Sequence, residues 1–93
     1  MPYKIYVGNL AWLVTSEMLR ELFEPYGQVV SAEIVTDRRN GRHRGFAFVR
    51  MASAEAARQA IAELHGRHWH DRPLKVAPAK DPLQLDSHFE EKN

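Results

Sequence analysis

The stretch from Arg44 to Met51, RGFAFVRM, constrains the fold of this chain more than any other. Its side chains alternate in character with a period of two, which predicts a β-strand with two different faces. One face is small and aliphatic, and the other carries Phe46 and Phe48 between Arg44 and Arg50. Exposed aromatic rings flanked by cations suit nucleic acid, because rings stack on bases and arginine pairs with phosphate. A strand buried on both faces is the alternative, but unpaired arginine is rarely fully buried.

Two motifs resemble those of the RNA recognition motif family. The strand just described fits the family's octapeptide pattern, K/R-G-F/Y-G/A-F-V-x-F/Y, at seven of eight positions. Met51 stands where the family usually has Phe or Tyr, and its parity directs it into the core, where it changes packing rather than binding. Nearer the N-terminus, IYVGNL at residues 5–10 resembles the family's hexapeptide motif. Their order and spacing also fit the family, so the two motifs together indicate a domain of this type.

Local patterns elsewhere predict the element order β-α-β-β-α-β. Strands are predicted at residues 4–10, 29–35, 44–51 and 73–77. Thr15 and Ser53 suit the N-cap positions of two amphipathic helices, and turns are expected at Asn40-Gly41 and His70-Asp71. This order is that of the ferredoxin-like α+β sandwich, with two helices on one face of a four-stranded antiparallel sheet. The resemblance implies that the two motif strands lie side by side at the centre of the open face.

Length and charge favour one small domain with an acidic extension. The 93 residues include no cysteine, which excludes disulfides and thiolate metal sites. Residues 1–80 hold twelve basic and eight acidic side chains, whereas residues 81–93 hold four acidic side chains and one lysine. We therefore expect a folded domain over residues 1–80 and a mobile acidic tail over residues 81–93. With no secretory signal and no apolar run of membrane-spanning length, we expect a cytoplasmic protein, and a monomer.

The resemblance also implies roles for individual residues of the open face. Tyr6 and Phe48 would each stack one base, Phe46 would insert against the sugars between two nucleotides, and Arg44 would contact a phosphate. Further basic side chains would flank the aromatic residues: Lys4, Arg39, Arg42, Arg50, Lys75 and Lys80. The arginine-rich loop before the third strand either closes over RNA or is simply a solvated loop, and the sequence leaves both possibilities open.

The predicted function is binding of single-stranded RNA, and of single-stranded DNA more weakly, without a cofactor or metal. A protein-interaction module of the same fold is the alternative, although retention of the aromatic residues weighs against it. The fold also occurs in enzymes, but the sequence offers no nucleophile beside a base and no Gly-rich phosphate loop. His65, His68 and His70 are close together in the sequence; either they are a surface cluster without function, or His68 and His70 bind a metal adventitiously.

Overall fold

A computed structural model describes residues 3–37 and 39–79 of the chain. Its elements are strand β1 (Tyr3–Gly8), helix α1 (Ser16–Phe23) with a 3₁₀ turn (Glu24–Tyr26), strands β2 (Val29–Thr36) and β3 (His43–Met51), helix α2 (Ala54–Leu64), and strands β4 (His68–Trp69), β5 (Arg72–Pro73) and β6 (Lys75–Pro78). The predicted acidic tail at residues 81–93, and Lys80 as a predicted site residue, lie outside the described residues.

The main sheet has four antiparallel strands in the order β2-β3-β1-β6. The two motif strands, β1 and β3, are therefore its centre, with Tyr6 directly opposite Phe48 and Lys4 opposite Arg50. Both helices pack on the same side of this sheet and share one hydrophobic core with it. The predicted ferredoxin-like α+β fold is confirmed, and no helix within residues 3–37 and 39–79 lies on the other face of the sheet.

The alternation along β1 and β3 assigns side chains to the two faces as predicted. Ile5, Val7, Val49 and Met51 are all fully buried beneath the helices. Met51 thus fills a core position, so its departure from the family pattern is a difference of packing, as predicted. The side chains that alternate with them along both strands lie on the opposite, open face of the sheet.

Both helices begin at the predicted capping residues. The Thr15 hydroxyl accepts a hydrogen bond of 3.2 Å from the Met18 amide, and the Ser53 hydroxyl accepts one of 3.1 Å from the Ala56 amide. Each hydroxyl satisfies an amide that has no partner within the first turn of the helix. The buried stripe of α2 consists largely of alanine, which allows that helix to approach the sheet closely.

The last predicted strand begins later than the sequence suggested. Strands β4 and β5 form a separate hairpin, and the residues at its turn, His70 and Asp71, both adopt positive φ angles, of 52° and 65°. Two consecutive residues of this kind form a type I′ turn, whose twist matches that of paired strands. Pro73 belongs to this hairpin, and the sheet strand β6 starts at Lys75. The turn was predicted, but the hairpin around it was not.

The first strand also ends sooner than predicted, at Gly8. Asn9 has a φ angle of 60°, which breaks the extended conformation and turns Leu10 into the core. The Asn9 side chain donates a 2.8 Å hydrogen bond to the Pro73 carbonyl and accepts one of 3.2 Å from Arg72. These bonds connect the end of β1 to the β4–β5 hairpin.

Candidate nucleic-acid interface

Three aromatic rings lie together on the open face of the sheet. The ring centroid of Tyr6 is 5.8 Å from that of Phe46 and 6.0 Å from that of Phe48. The two phenylalanine rings are 6.1 Å apart and nearly perpendicular. All three side chains are partly exposed, although they belong to the two central strands. We call these three residues the aromatic cluster. The structure brings together all three aromatic residues that the sequence placed on this face.

The position of the Tyr6 ring depends on Gly8, two residues further along β1. A Cβ atom at position 8 would lie only 2.7 Å from Cζ of Tyr6, closer than real Cβ contacts come. The ring therefore lies directly over the main chain of Gly8. Because Gly8 is the cross-strand partner of Phe46, this direction also carries Tyr6 towards the Phe46 ring. The glycine of the hexapeptide motif thus sets the geometry of the aromatic cluster.

Two basic side chains lie against the aromatic cluster. Nζ of Lys4 is 4.4 Å from the Phe48 ring centroid, which is the geometry of a cation–π contact. The guanidinium carbon of Arg44 is 6.0 Å from the Phe46 centroid, at the outer limit of such a contact. A positively charged group therefore lies beside the Phe48 ring, and another lies beside the Phe46 ring, before any ligand binds.

Four other predicted cations lie on strands β3 and β6 and in the β2–β3 loop. Arg50 is opposite Lys4 across β1 and β3, and Lys75 is opposite Gly8 across β1 and β6, so the two basic residues stand in different cross-strand rows of the sheet. Arg39 is in the β2–β3 loop, where its Nε is 3.7 Å from Oδ1 of Asp37. The Arg42 amide donates a 2.9 Å hydrogen bond to the Asn40 side chain in the same loop.

Backbone hydrogen bonds close the β2–β3 loop on itself. The amide of Asp37 donates to the Arg42 carbonyl at 2.7 Å, and the amide of Gly41 donates to the Asp37 carbonyl at the same distance. Gly41 has a φ angle of 70°, in agreement with the turn predicted at Asn40-Gly41. The structure thus places Arg39 and Arg42 in a bonded loop and does not pair either of them with the aromatic cluster.

Sequence reasoning missed an acidic residue beside the aromatic cluster. Glu33 of β2 is the cross-strand partner of Phe48, so that one row across the sheet contains Glu33, Phe48, Tyr6 and Ala77. Register shifts between Val29 and Ser31 and between Ile34 and Thr36 interrupt the pairing of β2 with β3. These shifts obscure the alternation of β2, which is the signal that would have assigned Glu33 to a face.

Trp12 is a second residue to which the sequence assigned no role. It lies in the β1–α1 loop, is 69% exposed and has its ring centroid 5.8 Å from that of His43, at the start of β3. The amide of nearby Leu10 donates to the Gly45 carbonyl at 2.9 Å. An exposed aromatic side chain thus lies near the end of β3 from which Arg44 and Phe46 extend.

The histidines do not gather into a metal site in the described part of the chain. Nδ1 of His65 accepts a 3.1 Å hydrogen bond from the Val76 amide, so this imidazole supports the start of β6. No group of three potential ligand side chains converges within residues 3–37 and 39–79. In the same residues, no helix has the length and apolar character needed to cross a membrane.

Comparison with known proteins agrees with the fold and the motifs. Residues 5–75 match the RNA recognition motif family. The chain is 47% identical over 79 residues to the 31 kDa chloroplastic ribonucleoprotein of Nicotiana sylvestris, covering 85% of this chain and 25% of that protein. It is 45% identical over 78 residues to the mitochondrial glycine-rich RNA-binding protein 3 of Arabidopsis thaliana, covering 84% and 25%.

Solved structures give the same result. The crystal structure of the RNA-binding protein PG1 has a TM-score of 0.83 and 46% identity, covering 85% of this chain and 95% of that one. A complex described as SXL-lethal protein with RNA has a TM-score of 0.77 and 37% identity, covering 83% of this chain and 47% of that one. This chain belongs to the RNA recognition motif family.

These comparisons also correct one expectation. The chain spans about a quarter of the length of the first two relatives named above, and their names place them in chloroplasts and mitochondria. The cytoplasmic location expected from the sequence is therefore wrong, since the similar proteins point to an organelle. The lack of a secretory signal and of an apolar run gave that expectation, and neither distinguishes the cytoplasm from the interior of an organelle.

Proposed function

We propose that the chain binds single-stranded RNA on the open face of the sheet. The observation that carries this proposal is the aromatic cluster, whose three rings lie within about 6 Å of one another on the sheet face opposite helices α1 and α2. Unpaired bases can stack on such rings, whereas bases inside a duplex present only their edges. The family match and the names of the RNA-binding relatives support the proposal.

In the proposed complex, each residue of the aromatic cluster has its own task. Tyr6 and Phe48 each stack one base, Phe46 packs against the sugars between those two nucleotides, and Arg44 meets a phosphate. Each stacked base contributes about 1–3 kcal/mol and does so with little dependence on its identity. Single-stranded DNA binds in the same way but more weakly, since it lacks the 2′-hydroxyl.

The proposal assigns an electrostatic role to the other cations. Lys4, Arg50 and Lys75 raise the positive potential around the aromatic cluster, and we extend this role to Arg39 and Arg42 in the loop and to Lys80. We further propose that residues 1–80 form the RNA-binding domain and act without a cofactor, as a monomer. The relatives named above are RNA-binding proteins, and the function proposed for this domain is likewise binding and not catalysis.

In the proposed complex, Lys4 exchanges its contact with the Phe48 ring for a contact with the RNA. Its ammonium group lies over the Phe48 ring, 4.4 Å from the centroid, where a base would stack. The base displaces the ammonium group, and the cation–π contact of about 0.5–1 kcal/mol is lost. The released lysine then meets a phosphate of the same RNA, which offsets that loss.

Binding to oligonucleotides of matched sequence tests the proposal. Labelled single-stranded RNA, the same RNA annealed to its complement, and the corresponding single-stranded DNA are each titrated with the protein at one salt concentration. We expect the strongest binding to single-stranded RNA, weaker binding to the DNA and the weakest to the duplex. Equal affinity for single-stranded RNA and the duplex would contradict stacking on the aromatic cluster.

A further inference from the structure

We infer that the outer edge of β2, beside Phe48, is a base-reading site that prefers guanine, with Glu33 as its specificity-determining residue. This inference rests on the proposed function and extends it from RNA binding in general to the choice of one base. Its three supports are an open groove next to Phe48, an acidic side chain where the surrounding charge is positive, and the pattern of hydrogen-bond donors on the four bases.

A groove runs along the edge strand β2, and Phe48 forms part of its wall. It has a volume of about 470 Å³ and is lined by residues of β2 together with Phe48 and Ser16. β2 is one of the two edge strands of the sheet, and within the described part of the chain no strand pairs with the outer side of its backbone. The groove is therefore continuous with the aromatic cluster and open towards the sheet edge.

Glu33 contributes the charged group of this groove. It is exposed, lies opposite Phe48 in the register of β2 and β3, and has no salt-bridge partner among residues 3–37 and 39–79. A carboxylate here repels phosphate and so weakens general attraction to RNA. Its favourable partner in an RNA ligand is a hydrogen-bond donor. A ribonucleotide offers donors on its base edge and at the 2′-hydroxyl, and only those on the base edge differ from one base to another.

Guanine matches a carboxylate better than the other bases do. Its Watson–Crick edge presents two adjacent donors, the N1–H and the 2-amino group, which can meet both carboxylate oxygens as a bidentate pair. Adenine and cytosine each present one amino donor beside a ring-nitrogen acceptor, and uracil presents one N–H between two carbonyl acceptors. For these three bases, at least one carboxylate oxygen would face a lone pair.

The test uses a short oligouridine RNA with one central position occupied by guanosine, inosine, adenosine, cytidine or uridine. Inosine keeps the N1–H of guanosine but lacks the 2-amino group. Affinities are measured for the unchanged chain, for Glu33→Gln, and for Glu63→Gln as a control. Glu63 is an exposed acidic residue of α2, on the helical side of the sheet, so its substitution makes the same change in charge away from the groove.

We expect the unchanged chain to bind the guanosine RNA about tenfold more tightly than the uridine RNA, the discrimination typical of one bidentate pair. Inosine should lose most of this preference. Glu33→Gln should abolish the preference while tightening binding to the all-uridine RNA, and Glu63→Gln should retain the preference.

Two results distinguish failure of this inference from failure of the proposed function. If all five RNAs bind equally, or if Glu33→Gln retains the preference for guanosine, RNA binding stands and Glu33 is only a solvated charge on an edge strand. If none of the RNAs binds, both the proposed function and the guanine site are wrong.

Discussion

At the scale of single residues, the rings of the aromatic cluster serve both the fold and the proposed function. Tyr6 and Phe48 are cross-strand partners with tilted rings, an arrangement in which one ring presents its edge to the other. Such a pair stabilises a sheet by about 0.5–1.5 kcal/mol beyond the area that it buries. Because an edge-on contact leaves ring faces uncovered, the rings can support each other and still stack on bases.

Removing one ring should therefore weaken RNA binding more than it weakens the fold. We expect Tyr6→Ala and Phe48→Ala each to reduce the free energy of binding to single-stranded RNA by about 1–3 kcal/mol. The measurement is titration with labelled RNA, accompanied by thermal unfolding of each variant. Tyr3→Ala is the control, because Tyr3 lies on the same strand as Tyr6 and is 47% exposed, but its parity is that of the core side. An equal loss in Tyr3→Ala would show that these losses are not specific to the open face.

Gly8 offers a test of how the Tyr6 ring is positioned. A methyl group at position 8 would overlap the ring, so Gly8→Ala should displace it and remove up to about 1–3 kcal/mol of binding, the contribution of one stacked base. The measurement is a double-mutant cycle on RNA affinity with Tyr6→Ala and Gly8→Ala. In the Tyr6→Ala background, Gly8→Ala should have little further effect. If its cost is the same in both backgrounds, the methyl group acts elsewhere.

At the scale of elements, the sequence predicted the central strands better than the outer ones. The faces of β1 and β3 follow from alternation, because each central strand packs one side against the helices and leaves the other open. β2 could not be assigned in the same way, because its two register shifts alter which residues share a face. For that reason the sequence did not identify Glu33 as a candidate site residue, although Glu33 is the cross-strand partner of Phe48.

The β4–β5 hairpin was missed for a related reason. Strands of two residues are too short to show a period, and His70-Asp71 differs from the Asn-Gly and Asp-Gly pairs by which such turns are usually recognised. The side-chain bonds from Asn9 to Pro73 and Arg72 join residues more than sixty positions apart, and local patterns carry no signal of them.

Strand β3 packs into the core on one face and carries residues of the proposed binding site on the other, and substitutions should separate the two roles. Met51→Ala removes a fully buried side chain and should lower the free energy of unfolding by about 2–5 kcal/mol. Met51→Leu nearly conserves the volume and should cost less than about 1.5 kcal/mol. The measurement is denaturant unfolding of each variant, together with RNA affinity under conditions where the variant remains folded. We expect that affinity to be unchanged, and a loss of affinity in folded Met51→Leu would overturn the assignment of faces.

At the scale of the whole molecule, the distribution of charge matters more than its sum. The net charge of the chain is only +1, yet basic side chains lie against the aromatic cluster. A local positive field of this kind attracts a polyanion even when the molecule as a whole is nearly neutral. Net charge alone would have given little indication of a nucleic-acid partner.

The salt dependence of binding should reveal which cations meet phosphate. Each such contact releases counterions, so the log–log slope of affinity against salt should become shallower by about 0.7 in Arg44→Ala. Arg58→Ala is the matched control, since Arg58 is exposed on α2 and carries the same charge away from the aromatic cluster. The measurement is RNA affinity across a salt series for the unchanged chain and both variants. Equal slopes in the two variants would mean that Arg44 acts only through the general field.

The left-handed turn at His70-Asp71 has a consequence for engineering this domain. Residues other than glycine adopt that conformation at a cost of roughly 1–2 kcal/mol each, although asparagine and aspartate tolerate it better. Glycine at position 71 and asparagine at position 70 would relieve part of this strain. The turn is near α1, where His70 lines a groove with Met18 and Glu21, so these changes would not touch the open face. Thermal robustness and ligand choice can thus be optimised as separate traits in one small scaffold.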